Sequence, residues 1–286
     1  MREEINIESL RVLSQIFTPS SFNKVVREKD FSFFNKKISK HYSKHNSSNN
    51  LQLIKKLYLD LENNYRCEYF FKNKLFNKIL KEYSLTTTTA FNEFKVGNSK
   101  ADLVLLNGCV KIFEIKTELD DLTKLKKQIS DYQKIADLVN IVTDSKFIPK
   151  LIAEYKDTNV GIIEFTSKNS LKIHKKAIQN SSKFEFDCMF KLLHKKEYLN
   201  LVKRNFGFIP DVPNTKIFRV CYDLLKSIDI LDFQKQVITT LKKRNIDCPE
   251  LLKSKDTPTE LKHICYTLNF NSNEYDDLFN FLNKKL

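Results

Sequence analysis

The chain has 286 residues, and its 49 basic and 35 acidic side chains give a formal net charge of +14. With 41% hydrophobic and 12% aromatic residues, it has enough apolar surface for a folded core, which excludes a disordered chain. Only four glycines and six prolines exclude collagen-like chains and most β-sandwich or propeller designs, whose turns need glycine. The length predicts one or two domains, and the composition favours helices with a small sheet.

Charge, cysteine spacing and the first residues predict the cellular location of the protein and the kind of partner it binds. No apolar run approaches the ~18 residues of a membrane span, and acids at positions 3 and 4 are unlike a signal peptide, so we expect no membrane partner. Six widely spaced cysteines without a CxxC pair predict free thiols and a cytoplasmic location. The excess of lysine indicates a polyanionic partner or, equally, solvated helix faces.

Taken in chain order, the two ends of the sequence are predicted to be helical. Residues 1–45 show helical spacing, 43–50 form a polar linker, and a helix pair follows at about 51–61 and 64–82. After about residue 182 the pattern is helical to the end, with breaks at glycine and proline. We therefore predict an N-terminal helical region at 1–64 and a C-terminal helical domain at 182–286.

The middle of the chain has the pattern of a sheet with intervening helices. Strands are predicted at 91–96, 101–106 and 109–116, and the Asn107-Gly108 pair between the last two is a strong hairpin signal. The remaining predicted elements are a helix over 121–137, a strand at 139–143, a helix at 146–156, and a hairpin of 160–165 with 171–174.

Acidic residues stand where buried strands do not favour them. Asp102 opens one predicted strand, and Glu114 interrupts the apolar run of the next, with Lys116 two positions later on the same face. Burying a carboxylate without a partner costs on the order of 1–5 kcal/mol. A divalent cation removes that cost, and two carboxylates with waters and phosphate are a typical magnesium environment.

The length of the hairpin loop decides whether the two carboxylates can share a cation. A two-residue turn at Asn107-Gly108 would place Asp102 opposite Phe113 and thus on the other face from Glu114. For a three-residue loop with left-handed Gly108, we expect Asp102 opposite Ile112 and Glu114 as its diagonal neighbour, roughly 7 Å away. We therefore predict the bulged turn or another one-residue irregularity in this hairpin.

Several of these residues match a known sequence signature. Asp102, followed after eleven residues by Glu114-Ile-Lys116, resembles the signature of the PD-(D/E)XK nuclease superfamily. Gln128 and Tyr132 are similar to the QxxxY motif of its RecB-like branch. A wider block from Glu68 to Tyr132 resembles an uncharacterised bacterial and prophage family of that superfamily. The resemblance covers about residues 65–145, and the proline that names the signature is absent before Asp102.

The resemblance implies a fold and a role for each matching residue. It implies an α/β restriction-endonuclease-like core at 65–178, a mixed sheet flanked by helices, between the helical regions. Metal ligands would be Asp102, Glu114, the carbonyl of Ile115 and Glu68, holding one or two Mg²⁺ ions for which Mn²⁺ would substitute. Lys116 would position or deprotonate the attacking water. Gln128 and Tyr132 would steady the site and touch substrate phosphate.

The function so implied is metal-dependent hydrolysis of phosphodiester bonds in DNA, with RNA as a further substrate. Phage or bacterial defence, repair and mobile-element biology would suit such an enzyme. Alternatively, the chain is a non-catalytic module that binds nucleic acid or protein. Each residue also has a structural interpretation: Glu114 and Lys116 as an ion pair, and Gln128 and Tyr132 as ordinary helix residues. The helical regions could form a homodimer or bind a protein partner.

Basic pairs and phenylalanines interleave in the C-terminal region. Lys203-Arg204 and Lys242-Lys243-Arg244 accompany Phe206, Phe208 and Phe218. A groove for nucleic acid is one interpretation. A phenylalanine-rich helical core with a lysine surface is the interpretation that the composition favours.

Overall fold

A computed structural model of the chain describes residues 6–42, 47–244 and 246–286, so part of the predicted linker at 43–50 lies outside the described residues. The chain forms two compact units. One consists of the described parts of residues 1–85 and 246–286, and the other comprises residues 86–244. The first unit thus contains both ends of the chain, and residues 182–244 belong to the second unit, which contains the sheet. The predicted segments were 1–64, 65–178 and 182–286.

The first unit is helical. Local signals begin its helices: Thr18 accepts a hydrogen bond from the Ser21 N–H ahead of Pro19, and Asn271 forms a capping box with Glu274. The helices of this unit are α1 (Ile7–Ser14), α2 (Pro19–Val26), α3 (Ser32–His41), α4 (Asn50–Asn64), α5 (Glu68–Glu82) and, numbered after those of the second unit, α12 (Pro249–Lys253), α13 (Lys262–Leu268) and α14 (Ser272–Asn283).

The second unit contains the sheet. Its strands are β1 (Thr89–Val96), β2 (Ser99–Leu106), β3 (Val110–Lys116), β4 (Leu138–Thr143), β5 (Gly161–Phe165) and β6 (Leu171–Lys175). Its helices are α6 (Leu125–Tyr132), α7 (Ile148–Tyr155), α8 (Phe186–Phe190), α9 (Lys195–Phe206), α10 (Asn214–Leu225) and α11 (Ile230–Leu241). None of the helices in the described residues is long and apolar enough to span a bilayer.

The six strands form one mixed sheet in the order β1-β2-β3-β4-β5-β6. β1, β2 and β3 pair antiparallel, β3, β4 and β5 pair parallel, and β6 returns antiparallel along β5. The parallel connections contain α6 and α7, because a crossover between parallel strands needs a longer path than a turn. The prediction of an α/β protein with a mixed sheet, flanking helices and helical ends is confirmed.

One face of the sheet carries the core of this unit. Val104, Ile112, Ile141 and Ile162 are almost fully buried on neighbouring strands, and they form one apolar cluster with residues of α6 to α11. Because alternate residues of a strand share a face, Asp102, Glu114 and Lys116 lie on the same face as this cluster, at one end of it. The strands thus carry apolar residues along most of that face and polar residues where the site forms.

The hairpin between β2 and β3 has the predicted three-residue loop, but not the predicted pairing. Leu106 pairs with Val110, and Gly108 adopts a left-handed φ of 71°. Ile112 pairs with Val104, so the expectation that it faces Asp102 is wrong. An extra loop residue moves each partner one position onward along β3, not backward. Continuing the observed register places Asp102 opposite Glu114 itself.

Candidate active site

Glu114 is the centre of a group of buried polar side chains. It lies in the middle of the sheet, between β2 and β4, and retains 1% of its exposed surface. Its Oε1 atom lies 2.9 Å from Lys116 Nζ and 2.5 Å from Gln128 Nε2, and its Oε2 accepts a hydrogen bond of 2.7 Å from the Tyr132 hydroxyl. These donors offset the cost of burying the carboxylate and fix its orientation.

Helix α6 supplies two of those donors. Gln128 and Tyr132 are one turn apart, and buried Leu125 and Ile129 on the same helix anchor it to the core. The Tyr132 hydroxyl also lies 2.8 Å from the Lys100 carbonyl, so its single proton serves two acceptors. Burial, together with the negative charge of Glu114, raises the pKa of Tyr132 well above its usual range. Tyr132 therefore stays a neutral donor.

Asp102 approaches the same place from β2. Its Oδ2 accepts a hydrogen bond of 2.8 Å from the backbone N–H of Ile115. The carboxylate oxygens that Asp102 and Glu93 offer lie within 4.8 Å of each other. The paired residues of β2 and β3 end one position short of Asp102, and those of β1 and β2 skip Glu93. Continuing the register through these positions places Asp102 between Glu93 and Glu114, so three carboxylates follow one another across neighbouring strands.

Glu93 has a feature that the sequence does not signal. Its φ is 53°, a left-handed value that non-glycine residues seldom adopt within a strand. The regular pairing of β1 with β2 holds for Asn92 and Phe94 on either side of it. Glu93 forms an ion pair of 2.7 Å with Lys100, and both side chains are exposed. Such local strain is often found at functional sites, and it makes Glu93 a candidate member of this one.

Lys116 ends β3 with a nearly buried side chain, which retains 12% of its exposure and points to Glu114. Its backbone carbonyl accepts a hydrogen bond of 2.8 Å from the hydroxyl of fully buried Thr143, its neighbour on β4. Sequence reasoning did not single out Thr143. A threonine at the end of a largely aliphatic strand was the available signal.

The other predicted ligands are Ile115 and Glu68. Ile115 lies between Glu114 and Lys116 and pairs with Val142 on β4. Glu68 is the first residue of α5 in the helical unit, where its half-exposed side chain forms an ion pair of 2.7 Å with Lys72. The structure thus brings together Asp102, Glu114, Lys116, Gln128 and Tyr132 within the sheet unit, and Glu68 stays a predicted member of the site.

The donor set fits a hard divalent cation. Carboxylate oxygens from neighbouring strands are the ligands that Mg²⁺ and Mn²⁺ prefer. In addition, Gln128 Oε1 is buried and has no hydrogen-bond partner among the described protein atoms. A buried amide oxygen without a partner costs about 1–3 kcal/mol, and a water held by a cation would supply the missing donor.

Comparisons with known proteins give a family. The family model described as "Bacteriophage P4 protein cII" matches residues 61–264, more than two thirds of the chain. Protein cII of Enterobacteria phage P4 is 29% identical over 182 residues, which span 60% of this chain and 66% of the phage protein, just under two thirds of its length. A Silicibacter pomeroyi protein of unknown function, SPO1766, aligns with 49% of this chain and 93% of its own at 14% identity and a TM-score of 0.31.

Proposed function

This chain belongs to the bacteriophage P4 protein cII family, and we propose that it is a metal-dependent nuclease that hydrolyses phosphodiester bonds in DNA. The observation that carries the proposal is the convergence on Glu114. A buried carboxylate contacts a lysine, a glutamine and a tyrosine from two elements, and Asp102 stands opposite it on the next strand. Three polar side chains directed at one buried carboxylate are costly for a merely structural role.

The residues would have three roles: metal ligands, a positively charged side chain beside the metal, and side chains that hold the others in position. Asp102 and Glu114 would hold Mg²⁺, with the Ile115 carbonyl as a further ligand and Mn²⁺ as a substitute. The bound ion would polarise the phosphate and lower the pKa of a coordinated water. Lys116 places a positive charge beside Glu114, where it would hold or accept a proton at Nζ and stabilise negative charge on the reacting phosphate.

Gln128 and Tyr132 serve as supports in this proposal. Each donates a hydrogen bond to Glu114, one to either carboxylate oxygen, so the carboxylate cannot rotate away from its place. Thr143 has the corresponding role for Lys116, because its hydroxyl fixes the backbone where β3 ends. Preorganisation of this kind lets a site stabilise a transition state without reorganising its own groups.

A substrate of nucleic acid is supported by the charge of the chain. With 49 basic and 35 acidic residues, the protein attracts polyanions, and DNA and RNA both present the phosphodiester that the site would cleave. A phage protein family suits roles in mobile-element biology, antiviral defence or repair. The second candidate is a module that binds nucleic acid or protein without cleavage, and the Glu114–Lys116 ion pair would then be structural.

A cleavage assay distinguishes these functions. Supercoiled DNA, linear DNA and RNA are each incubated with the chain in Mg²⁺, in Mn²⁺ and in EDTA, beside the variant Lys116→Ala. We expect cleavage of DNA that requires the metal and is lost in the variant. Cleavage that survives both EDTA and Lys116→Ala would refute the mechanism. Binding without cleavage under every metal condition would establish the binding module instead.

A further inference from the structure

A pocket lined largely by polar side chains lies in the sheet unit, between α9 and the C-terminal end of α11. Its volume is about 290 Å³. On α9 its lining residues follow helical spacing and share one face of the helix: Glu197, Asn200, Leu201 and Arg204. On α11 and the residues after it, the lining consists of Thr239, Thr240, Lys243 and Arg244.

The walls of this pocket are held by contacts between the two helices. Asn205 on α9 and Gln236 on α11 exchange side-chain hydrogen bonds of 2.7 and 3.0 Å. Arg244 donates to both carboxylate oxygens of Glu197, over 2.8 and 2.5 Å, and also to the Leu192 carbonyl. Burial opposes ionisation of Glu197, but the hydrogen bonds from Arg244 and the His194 N–H hold its pKa below the usual range. The pocket is therefore preformed.

The charges of the pocket are not balanced. Arg244 satisfies Glu197, the one acidic residue of the lining. Arg204 and Lys243 are exposed, and neither forms an ion pair with an acidic residue in the part of the chain that the structure describes. Two cations on opposite walls thus remain available to an anion, and the side-chain amide of Asn200 offers a further hydrogen-bond donor.

The size and chemistry of the pocket suit a backbone phosphate of a nucleic-acid strand. A fork of guanidinium donors opposite an ammonium group is a common environment for a phosphodiester. Phe208 lies four positions after Arg204 in the chain, beyond the end of α9, and its half-exposed ring is the kind of side chain that can stack on an unpaired base. This combination favours a single strand over a small anion.

We propose that the pocket of Arg204 and Lys243 binds a backbone phosphate of single-stranded nucleic acid, away from the reacting phosphate. The inference rests on the proposed function, because the pocket would hold the strand that the nuclease site cuts. It concerns residues outside the group around Glu114. A fixed contact of this kind would set the position of the strand while the site acts on another phosphodiester.

Binding measured without cleavage tests the pocket. The full chain in EDTA is titrated into a short fluorescent single-stranded DNA at several salt concentrations, and anisotropy is recorded. The double variant Arg204→Gln, Lys243→Gln is compared with Lys150→Gln, Lys156→Gln, which removes the same charge from exposed positions around α7. We expect the pocket variant to bind on the order of tenfold more weakly at ~0.1 M salt, and its salt slope to fall by about 1 for each lost contact. The α7 variant should change affinity by less than about twofold.

A second pair of substitutions distinguishes loss of the phosphate contact from misfolding. The charge-preserving variant Arg204→Lys, Lys243→Arg should retain most of the affinity, and a thermal unfolding midpoint of the glutamine variant equal to that of the wild type would show that its loss of affinity is not misfolding. Equal losses in the pocket and α7 variants would overturn the proposal, as would inorganic phosphate binding as tightly as the DNA. If the chain binds through the pocket but never cleaves, the nuclease function fails and the pocket stands. If it cleaves and the pocket variant binds normally, the pocket fails alone.

Discussion

Lys116 Nζ lies 2.9 Å from Glu114 Oε1, and the two side chains retain only 12% and 2% of their exposure. Removing one member of a buried ion pair leaves an uncompensated charge, so we expect Lys116→Met to lower the free energy of unfolding by about 3 kcal/mol at neutral pH in EDTA. Because a bound cation would compensate Glu114 in place of the lysine, Mg²⁺ should restore part of the loss. Urea denaturation with and without Mg²⁺ measures both effects.

The exposed ion pair of Lys100 with Glu93 provides the matched control. Its two side chains retain 61% and 42% of their exposure, so Lys100→Met should cost less than about 1 kcal/mol. Equal losses for Lys116→Met and Lys100→Met would show that the Glu114 carboxylate is not held in a buried, desolvated environment.

Tyr132 gives a prediction that depends on pH. Tyr132→Phe removes the hydroxyl that donates to Glu114, and we expect a loss of about 1–2 kcal/mol in the free energy of unfolding at pH 7. Burial and the Glu114 charge raise the pKa of Tyr132 in the folded chain, whereas the unfolded tyrosine ionises near pH ~10. Tyr132 therefore contributes fully below pH ~10, and its contribution declines above it by about 1.4 kcal/mol per pH unit.

Denaturation of the wild type and Tyr132→Phe across this pH range checks the sign. The difference in unfolding free energy between the two proteins should be constant at neutral pH and should shrink in alkali. A difference that grows with rising pH would mean that Tyr132 is ionised in the folded protein, contrary to its place beside Glu114.

The two glycines that bracket β2 should respond differently to alanine. Both have a positive φ, 59° at Gly97 and 71° at Gly108. A Cβ at Gly97 would lie 3.1 Å from Asp131 Oδ1, whereas at Gly108 it would meet nothing within 4 Å. We expect Gly108→Ala to cost about 1 kcal/mol from backbone strain alone, and Gly97→Ala to cost about 2–3 kcal/mol. Thermal unfolding of the pair measures this, and a larger loss at Gly108 would contradict the account.

Asp137 joins distant parts of the sheet unit. Its Oδ2 accepts hydrogen bonds of 2.7 Å from the Val110 N–H and 3.0 Å from Gln234 Nε2 on α11. Asp137→Ala leaves the buried N–H without a partner, and we expect a loss of about 2–3 kcal/mol in the free energy of unfolding. Asp211→Ala, at an exposed position, should change it by less than about 0.5 kcal/mol. Chemical denaturation of the two variants measures both losses. Similar losses would show that the hydrogen bonds of Asp137 do not stabilise the sheet unit.

Much of the sheet follows from local sequence patterns. The order of strands and helices was predicted from hydrophobic periodicity, and Gly108 identified the three-residue loop because only a left-handed residue closes it easily. Ile112 was predicted to lie opposite Asp102, whereas the continued register places Glu114 there. The prediction shifted the register of β3 in the wrong direction. Helix α6 spans Leu125–Tyr132 instead of the predicted 121–137, because polar turns around Asp121 and Thr123 precede it.

Contacts between residues far apart in the chain could not be predicted from local sequence patterns. Asp137 and Gln234 are 97 positions apart, and nothing in either neighbourhood indicates the hydrogen bond between them. The left-handed φ of Glu93 could not be predicted either, since glutamate has no preference for that conformation. For the site, the sequence predicted that Glu114, Lys116, Gln128 and Tyr132 belong together, but not that Glu114 is contacted by the other three side chains at once.

The most direct measurement of the central claim is the binding of Mn²⁺ to the chain, followed by titration calorimetry or by electron paramagnetic resonance of the free ion. If Asp102 and Glu114 share a cation, the wild type binds Mn²⁺ at a saturable site, Mg²⁺ competes for it, and both Asp102→Asn and Glu114→Gln abolish it. Glu154→Gln, at an exposed position on α7, should leave binding unchanged. Unchanged Mn²⁺ binding in Asp102→Asn and Glu114→Gln would contradict the account.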